Sequence, residues 1–222
     1  MSQEFWEQNA ETWTELIRAQ AISSRAITGP AIVEQILRRN LRSVLDIGCG
    51  EGWLASQLLP RQIDYLGVDG SVGLIENAER EHPGYFQPAS YEQITRGEWK
   101  SEKSFDGIVF NFSLLDEKIE DLLKAAAGFL NPARFLNPER VLLIQTLHPF
   151  FALPHYQDGE QIEDFKSMPL PFAGTMPWYG RTMGSWSKVF KNSGLLIEEI
   201  IEPRDPKKPE KPLSMIFALK KR

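Results

Sequence analysis

From Ser43 onward, short apolar runs alternate with longer stretches whose apolar residues recur at helical spacing. This alternation constrains the fold more than any other feature, because parallel strands need long crossovers and bury both faces under helices. Strands are predicted at Ser43–Ile47, Tyr65–Val68, Tyr85–Gln87, Phe105–Phe110, Val141–Gln145, Leu195–Ile201 and Ser214–Leu219. Helical periodicity falls between most of them, at Trp53–Leu59, Val72–Arg80, Glu117–Leu130 and Gly184–Lys191. The expected class is α/β, with one seven-stranded, mostly parallel sheet and right-handed crossovers that place helices on both faces. A Pro- and Lys-rich loop without helical pattern joins the last two strands, so they are expected to pair antiparallel at one edge.

Two segments stand outside this rhythm. Before Ser43, Phe5, Trp6, Trp13, Leu16 and Ile17 predict an amphipathic helix over Phe5–Gln20, and a second helix is predicted over Pro30–Arg39 with Pro30 in its first turn. After the fifth strand, residues His148 to Arg181 are rich in Pro, Phe and other aromatics but poor in periodicity. An insertion of that length is expected to serve as a lid or binding loop. No internal repeat is present.

Composition narrows the function classes. A chain of 222 residues with 42% hydrophobic residues can bury a sizeable core as one domain. Charged residues interrupt every apolar run well short of the roughly 18 that a membrane span needs. The start MSQEFWEQNAETW lacks a basic stretch followed by an apolar one, so a cytoplasmic protein is expected. Cys49 is the only cysteine, which excludes an internal disulfide framework and a cysteine-rich zinc site; no metal is expected. A formal charge of -5 disfavours nucleic acid as a partner. Against that average runs the cluster Lys207, Lys208, Lys211, Lys220, Lys221 and Arg222, which Pro and Glu interrupt and which reads as a solvated loop.

The sharpest motif is Val44-Leu45-Asp46-Ile47-Gly48-Cys49-Gly50-Glu51-Gly52-Trp53, a buried strand that runs into glycines and then a helix. Glycines there let the backbone turn tightly and approach a ligand with no Cβ in the way. The turn lies at the carboxyl end of the first strand, where open parallel sheets bind nucleotides. Nineteen residues past Gly50, the run Tyr65-Leu66-Gly67-Val68-Asp69-Gly70-Ser71 puts a carboxylate at the end of the second strand, where it can accept ribose hydroxyls. The dinucleotide fingerprint would need a third glycine where Trp53 stands, which weakens a nicotinamide-cofactor reading.

The first motif resembles motif I of class I methyltransferases, with Asp46, Gly48 and Gly50 matching its DxGxG run position for position, and Asp69 resembles the family's second acidic motif. The resemblance runs from about Ser43 to the C-terminus. It implies a Rossmann-like sheet, S-adenosylmethionine as cofactor and S-adenosylhomocysteine as product, with Asp46, Gly48, Cys49, Gly50, Asp69, Gly70 and Ser71 around the cofactor. Ser90 and Tyr91 follow the third strand, where the family usually holds adenine and often carries an Asp; Ser90 is alternatively a helix cap. Asn111 begins Asn111-Phe112-Ser113-Leu114, which borders the methyl group in the family. That run lacks the (D/N)PP(Y/F) sequence of enzymes acting on nucleic-acid bases or glutamine. Arg25 is either a partner for the cofactor carboxylate or an exposed loop arginine.

Within this frame, residues 1–40 form a helical cap, 43–147 the cofactor-binding half, 148–181 a substrate lid and 182–222 a C-terminal helix with edge strands. Methyl transfer is an in-line displacement in which positioning supplies much of the catalysis, up to roughly 7–11 kcal/mol. A hydroxyl or ammonium acceptor also needs a base, and His148, directly after the fifth strand, is the first candidate. It is alternatively a loop hydrogen-bonding residue, and His82 and His155 have weaker claims. Phe150, Trp178 and Tyr179 are candidate walls of an acceptor pocket or parts of the lid's own core, and Arg181 is a candidate anchor for an acidic acceptor. The expected partner is a small-molecule substrate, methylated on oxygen or nitrogen by a monomer or homodimer. Methylation of tRNA or protein, and a non-catalytic cofactor-binding subunit, are the alternatives.

Overall fold

A computed structural model describes residues 2–131 and 140–222. The chain opens with α1 (Ser2–Gln8), α2 (Ala10–Arg18) and α3 (Arg25–Arg38), and then alternates β1 (Ser43–Ile47), α4 (Trp53–Leu58), β2 (Asp64–Asp69), α5 (Val72–Glu81) and β3 (Phe86–Pro88). The alternation continues through α6 (Tyr91–Arg96), β4 (Gly107–Asn111), α7 (Glu120–Ala127) and β5 (Val141–Thr146). Beyond these lie α8 (Pro149–Ala152), β6 (Gly159–Glu163), β7 (Met176–Gly180), α9 (Met183–Asn192), β8 (Leu195–Ile201), β9 (Arg204–Asp205), β10 (Lys208–Pro212) and β11 (Met215–Lys221).

Period-two burial builds the core. Along β4, Ile108 and Phe110 face α6, α7 and α9, while Val109 faces α3, α4 and α5. On β5, Val141 and Leu143 take the second face and Leu142 and Ile144 the first. Because helices cover both sides, these strands are apolar throughout and show no polar alternation. The sheet runs β3-β2-β1-β4-β5-β11-β8, parallel except for β11, which is antiparallel to both β5 and β8. Strand order therefore reverses between β1 and β4. In an open parallel sheet, that reversal leaves a crevice at the strands' carboxyl ends.

Several boundaries differ from the sequence reading. The predicted Phe5–Gln20 helix divides at Asn9, whose φ of -110° and ψ of 14° break the helical run. Its side chain donates to Phe5 O at 2.8 Å and to Ala173 O at 3.0 Å, while its Oδ1 accepts from Ala173 N at 2.7 Å. α3 begins at Arg25, five residues before the expected start, and carries Pro30 in its interior. Gly29 makes this workable: proline disfavours a helical predecessor through that residue's Cβ, and glycine has none. The third strand is Phe86–Pro88, leaving Tyr85 outside, and the fourth starts at Gly107, with Phe105 making an isolated bridge to Leu130. α7 is shorter than predicted at both ends.

The lid region is not irregular. It holds the short α8 and an antiparallel hairpin in which Gly159 pairs with Gly180 and Glu163 with Met176. The Pro- and Lys-rich loop forms a second small hairpin, β9–β10. Among the described residues, no helix is long and apolar enough to cross a membrane.

Candidate active site

The turn after β1 sits at the strand reversal. Gly48 N and Cys49 N donate to Val68 O of β2 at 2.7 and 3.1 Å, and Ser113 Oγ donates to Ile47 O at 2.8 Å. These bonds hold the turn between the β2 and β4 ends. Gly48 has φ +77°, and a Cβ there would stand 2.4 Å from Ser113 Cβ and 2.7 Å from the Tyr91 hydroxyl. Gly50, at φ +59°, differs: an added Cβ would meet only Trp13 Nε1 at 3.8 Å, because this part of the turn faces open space. That space is a cavity of about 480 Å³ running from the glycine turn to the β6–β7 hairpin.

Charged groups gather at the turn. Asp69 Oδ2 accepts from Gly50 N and its Oδ1 from Ser71 N, both at 2.9 Å, which fixes the carboxylate at the cavity edge. Burial pushes the Asp69 carboxyl up, against the pull of those backbone donors. Asp46, 2% exposed on the central strand, accepts from the Tyr65 hydroxyl at 2.8 Å through Oδ2, while its Oδ1 is buried without a partner. Burial raises its carboxyl to about 7, with Asp69 and Glu51 adding to the effect and Tyr65 and Arg25 opposing it. Glu51 is also raised by burial; Arg25 opposes this, as does Trp13, whose Nε1 donates to Glu51 Oε2 at 2.8 Å.

Arg25 lies over the Trp53 ring at 5.0 Å, and desolvation lowers its guanidinium pKa against the influence of Glu51 and Asp46. Three desolvated carboxylates therefore face one guanidinium. Such a site favours a ligand carrying positive charge, and the orphaned Asp46 Oδ1 needs a donor. On β4, Asn111 Oδ1 is likewise buried without a partner, and Phe112 beside it is held at φ +57°.

The sequence-predicted residues divide in two. Asp46, Gly48, Gly50, Asp69, Gly70, Ser90, Tyr91, Asn111 and Arg25 all come to this cavity, as do Trp178, Tyr179 and Arg181. Ser90 is also a helix cap, forming a capping box with Gln93, and the Tyr91 hydroxyl donates to Ser113 O at 2.8 Å. Cys49 touches the cavity, but its thiol packs in the core, where Gly67 leaves room for it. Ser71 is fully buried and off the wall: its hydroxyl accepts from Leu74 N as the α5 cap and donates to Glu7.

His148 is also off the wall. Its Nδ1 accepts from Phe150 N at 3.3 Å and its Nε2 lies 2.9 Å from Glu202 Oε1, so both ring nitrogens are engaged in capping α8 and anchoring it to the chain after β8. Phe150 is 62% exposed and points away from the cavity, packing on Phe151 and Tyr156. Arg181 does reach the cavity, but its Nη2 donates to the carbonyls of Asp116 and Glu117, fastening the loop after β4.

Sequence reasoning missed the N-terminal helices as a wall. Gln3 donates to Gly70 O at 2.7 Å, and Glu7 accepts from Ser71 Oγ and Gly73 N, placing a carboxylate at the α5 N-terminus. Trp6 and Trp13 line the cavity with Glu51 and Phe112. Phe5 stacks on Phe165 and Phe172, joining α1 to the lid. The alternating pattern of Trp and acidic residues in α1 and α2 was the available signal.

The methyltransferase domain family matches residues 5–200 of this chain. The chain belongs to that family. It is an S-adenosylmethionine-dependent methyltransferase of class I. Over 116 residues this methyltransferase is 34% identical to the malonyl-(acyl-carrier protein) O-methyltransferase of Halalkalibacterium halodurans, a match covering 49% of this chain and 40% of that one. It thus spans less than half the length of that curated relative. The fold is shared with an S-adenosylmethionine-dependent methyltransferase from Mesorhizobium loti at a TM-score of 0.62 and 20% identity, over 86% of this chain and 97% of that one. It is also shared with the magnesium protoporphyrin IX methyltransferase of Synechocystis, solved with bound SAH, at a TM-score of 0.57 and 15% identity, over 87% and 81% of the two chains.

Proposed function

We propose that this enzyme methylates an oxygen or nitrogen of a small, largely apolar molecule enclosed between the sheet edge and the β6–β7 lid. The observation that carries the reading is the continuous cavity, about 480 Å³, which joins the glycine turn to walls built from Trp6, Met168, Met176 and Trp178. A small-molecule site of this size and lining suits a compact acceptor beside the cofactor.

S-adenosylmethionine supplies, when bound, an electrophilic methyl carbon on a sulfonium. The chain's residues fit its groups. Asp46 Oδ1 and Asn111 Oδ1 are unpartnered acceptors suited to its ammonium, and Arg25 is a guanidinium suited to its carboxylate. Asp69 retains acceptor capacity for ribose hydroxyls, and Gly50 offers bare backbone. The protein's part is to hold acceptor and methyl carbon in line and to exclude water. His148 takes no part in this reading, since both its nitrogens are spoken for. Among the described residues, no histidine lines the cavity. The reading carries with it a cytoplasmic setting, supported by the unpaired thiol of Cys49, and an active unit of one chain or two.

Calorimetry with S-adenosylhomocysteine tests the site. Wild type is expected to bind, and Gly50→Val, which puts a branched side chain at φ +59° facing the cavity, to lose at least a hundredfold in affinity. Undiminished binding by that variant would overturn the assignment. Tritium from the labelled methyl donor is expected in the small-molecule fraction of an extract; label confined to protein or RNA would overturn the acceptor class.

A further inference from the structure

Carboxylates outnumber cations on the cavity walls. Beyond the groups assigned to the cofactor, the charged lining of the cavity consists of Glu51, Glu92, Asp116, Glu163 and Arg181. Arg181 is 3% exposed. Its Nη2 donates to the Asp116 and Glu117 carbonyls, and its guanidinium lies against the rings of Tyr179 at 5.0 Å and Trp186 at 5.1 Å. Asp116, Glu120 and Asp158 already answer its charge. Glu163, half-buried at the end of β6, uses Oε1 to accept from Phe165 N at 2.9 Å, and among the described residues none is seen donating to its Oε2.

An anion entering here would shed its water and face Asp116 and Glu163, while Arg181 already gives its Nη2 to two carbonyls, a cost of several kcal/mol. A cation would meet the Glu163 carboxylate and the aromatic rings of Trp6 and Trp178, whose faces attract positive charge. Apolar side chains, including Leu115, Leu153 and Met176, line the cavity beside them. Resting on the function proposed above, we propose that the acceptor is a lipophilic amine, a hydrocarbon or aryl body bearing a primary or secondary ammonium, and that Glu163 is its counter-ion and proton acceptor. The ammonium gives one proton to Glu163, which passes it to water. The freed nitrogen lone pair then forms the N–C bond while the C–S bond breaks with its electron pair going to sulfur. The products are the methylated ammonium, neutral S-adenosylhomocysteine and one released proton.

The test offers full-length enzyme a series of alkyl and arylalkyl amines, each matched with the carboxylic acid and the alcohol or phenol of the same skeleton, and follows tritium transfer from the methyl donor. Amines are expected to exceed their matched acids and alcohols at least tenfold in kcat/KM. Glu163→Gln is expected to lower amine kcat/KM at least tenfold and to move the pH at which the rate rises, with affinity for S-adenosylhomocysteine within twofold of wild type; Glu163→Asp is expected to recover part of the rate. A wild-type preference for acids or alcohols, or no amine turnover while S-adenosylhomocysteine binds, overturns the amine proposal and leaves the cofactor assignment standing. Retained amine turnover in Glu163→Gln overturns the role of Glu163. Failure of the wild type to bind S-adenosylhomocysteine overturns the function itself.

Discussion

Asp46 holds a carboxylate on the central strand with one oxygen bonded to Tyr65 and the other unanswered. Its folded-state pKa of about 7 lies above the ordinary carboxylate value of 3.8, so its effect on stability is most favourable below pH 4 and is lost as pH rises toward 7. At about 1.4 kcal/mol per unit, the ligand-free enzyme gives up roughly 4 kcal/mol at neutral pH to keep this group ionisable. Glu51 and Asp69 are raised in the same direction. The melting temperature without ligand is therefore expected to fall from pH 5 to pH 8, while affinity for S-adenosylhomocysteine rises over the same interval. Asp46→Asn is expected to flatten both trends, raise the ligand-free melting temperature and weaken binding about 10- to 100-fold, the worth of a charge-assisted hydrogen bond; thermal denaturation and calorimetry across that range check it. At this scale, Asp46, Gly48, Gly50 and Asp69 were legible because a local run of residues fixes both the turn and what it faces. Where His148 and Ser71 point was not readable, because position along the chain does not fix a side chain's direction: one caps α8, the loop-bonding alternative kept open for it, and the other caps α5 with its hydroxyl.

Two elements distant in sequence close the cavity together. α1 and the β6–β7 hairpin share a small core in which Phe5 stacks on Phe165 at 5.2 Å, and Asn9, 2% exposed, exchanges two hydrogen bonds with the Ala173 backbone. Asn9→Ala removes both bonds to Ala173 and the one to Phe5 O, a loss of about 1–3 kcal/mol. Hydrogen exchange is expected to accelerate in residues 159–180 and in α1 together, with the central strands unchanged; acceleration of α1 alone would show that the two do not act as one cover. The central strands were readable because burial on both faces leaves continuous apolar runs. The hairpin was not, because Gly159-Glu160-Gln161-Ile162-Glu163 places Ile162 in solvent at 68% exposure and takes its order from Met176–Gly180 across the ladder. The break at Asn9 was hidden for the same reason, since its partner lies 164 residues away.

For the molecule as a whole, the glycine turn, the strand ends, the N-terminal helices and the β6–β7 hairpin all line one cavity. A ligand at a hundred times its Kd adds about 2.7 kcal/mol to the folded state. For a chain of this length, that corresponds to a rise of about 5–10 °C in melting temperature. S-adenosylhomocysteine is expected to produce that rise with tryptophan fluorescence and far-ultraviolet dichroism melting together, since Trp6 and Trp13 sit on the cover and Trp186 in the sheet's packing. A fluorescence transition that precedes the dichroism would separate the cover from the sheet. The α/β class and the antiparallel final strand were legible at this scale. The place of that strand was not, because β11 enters between β5 and β8 and no local pattern records which neighbours it will have.

The wedged position of β11 bears on synthesis. While the ribosome is still adding the residues before Met215, the side of β5 that β11 will pair has no partner strand, and β8 has no strand to pair with. Any sheet that the earlier strands assemble before Met215 is made carries an open β5 edge, which a foreign strand from a crowded neighbour could occupy.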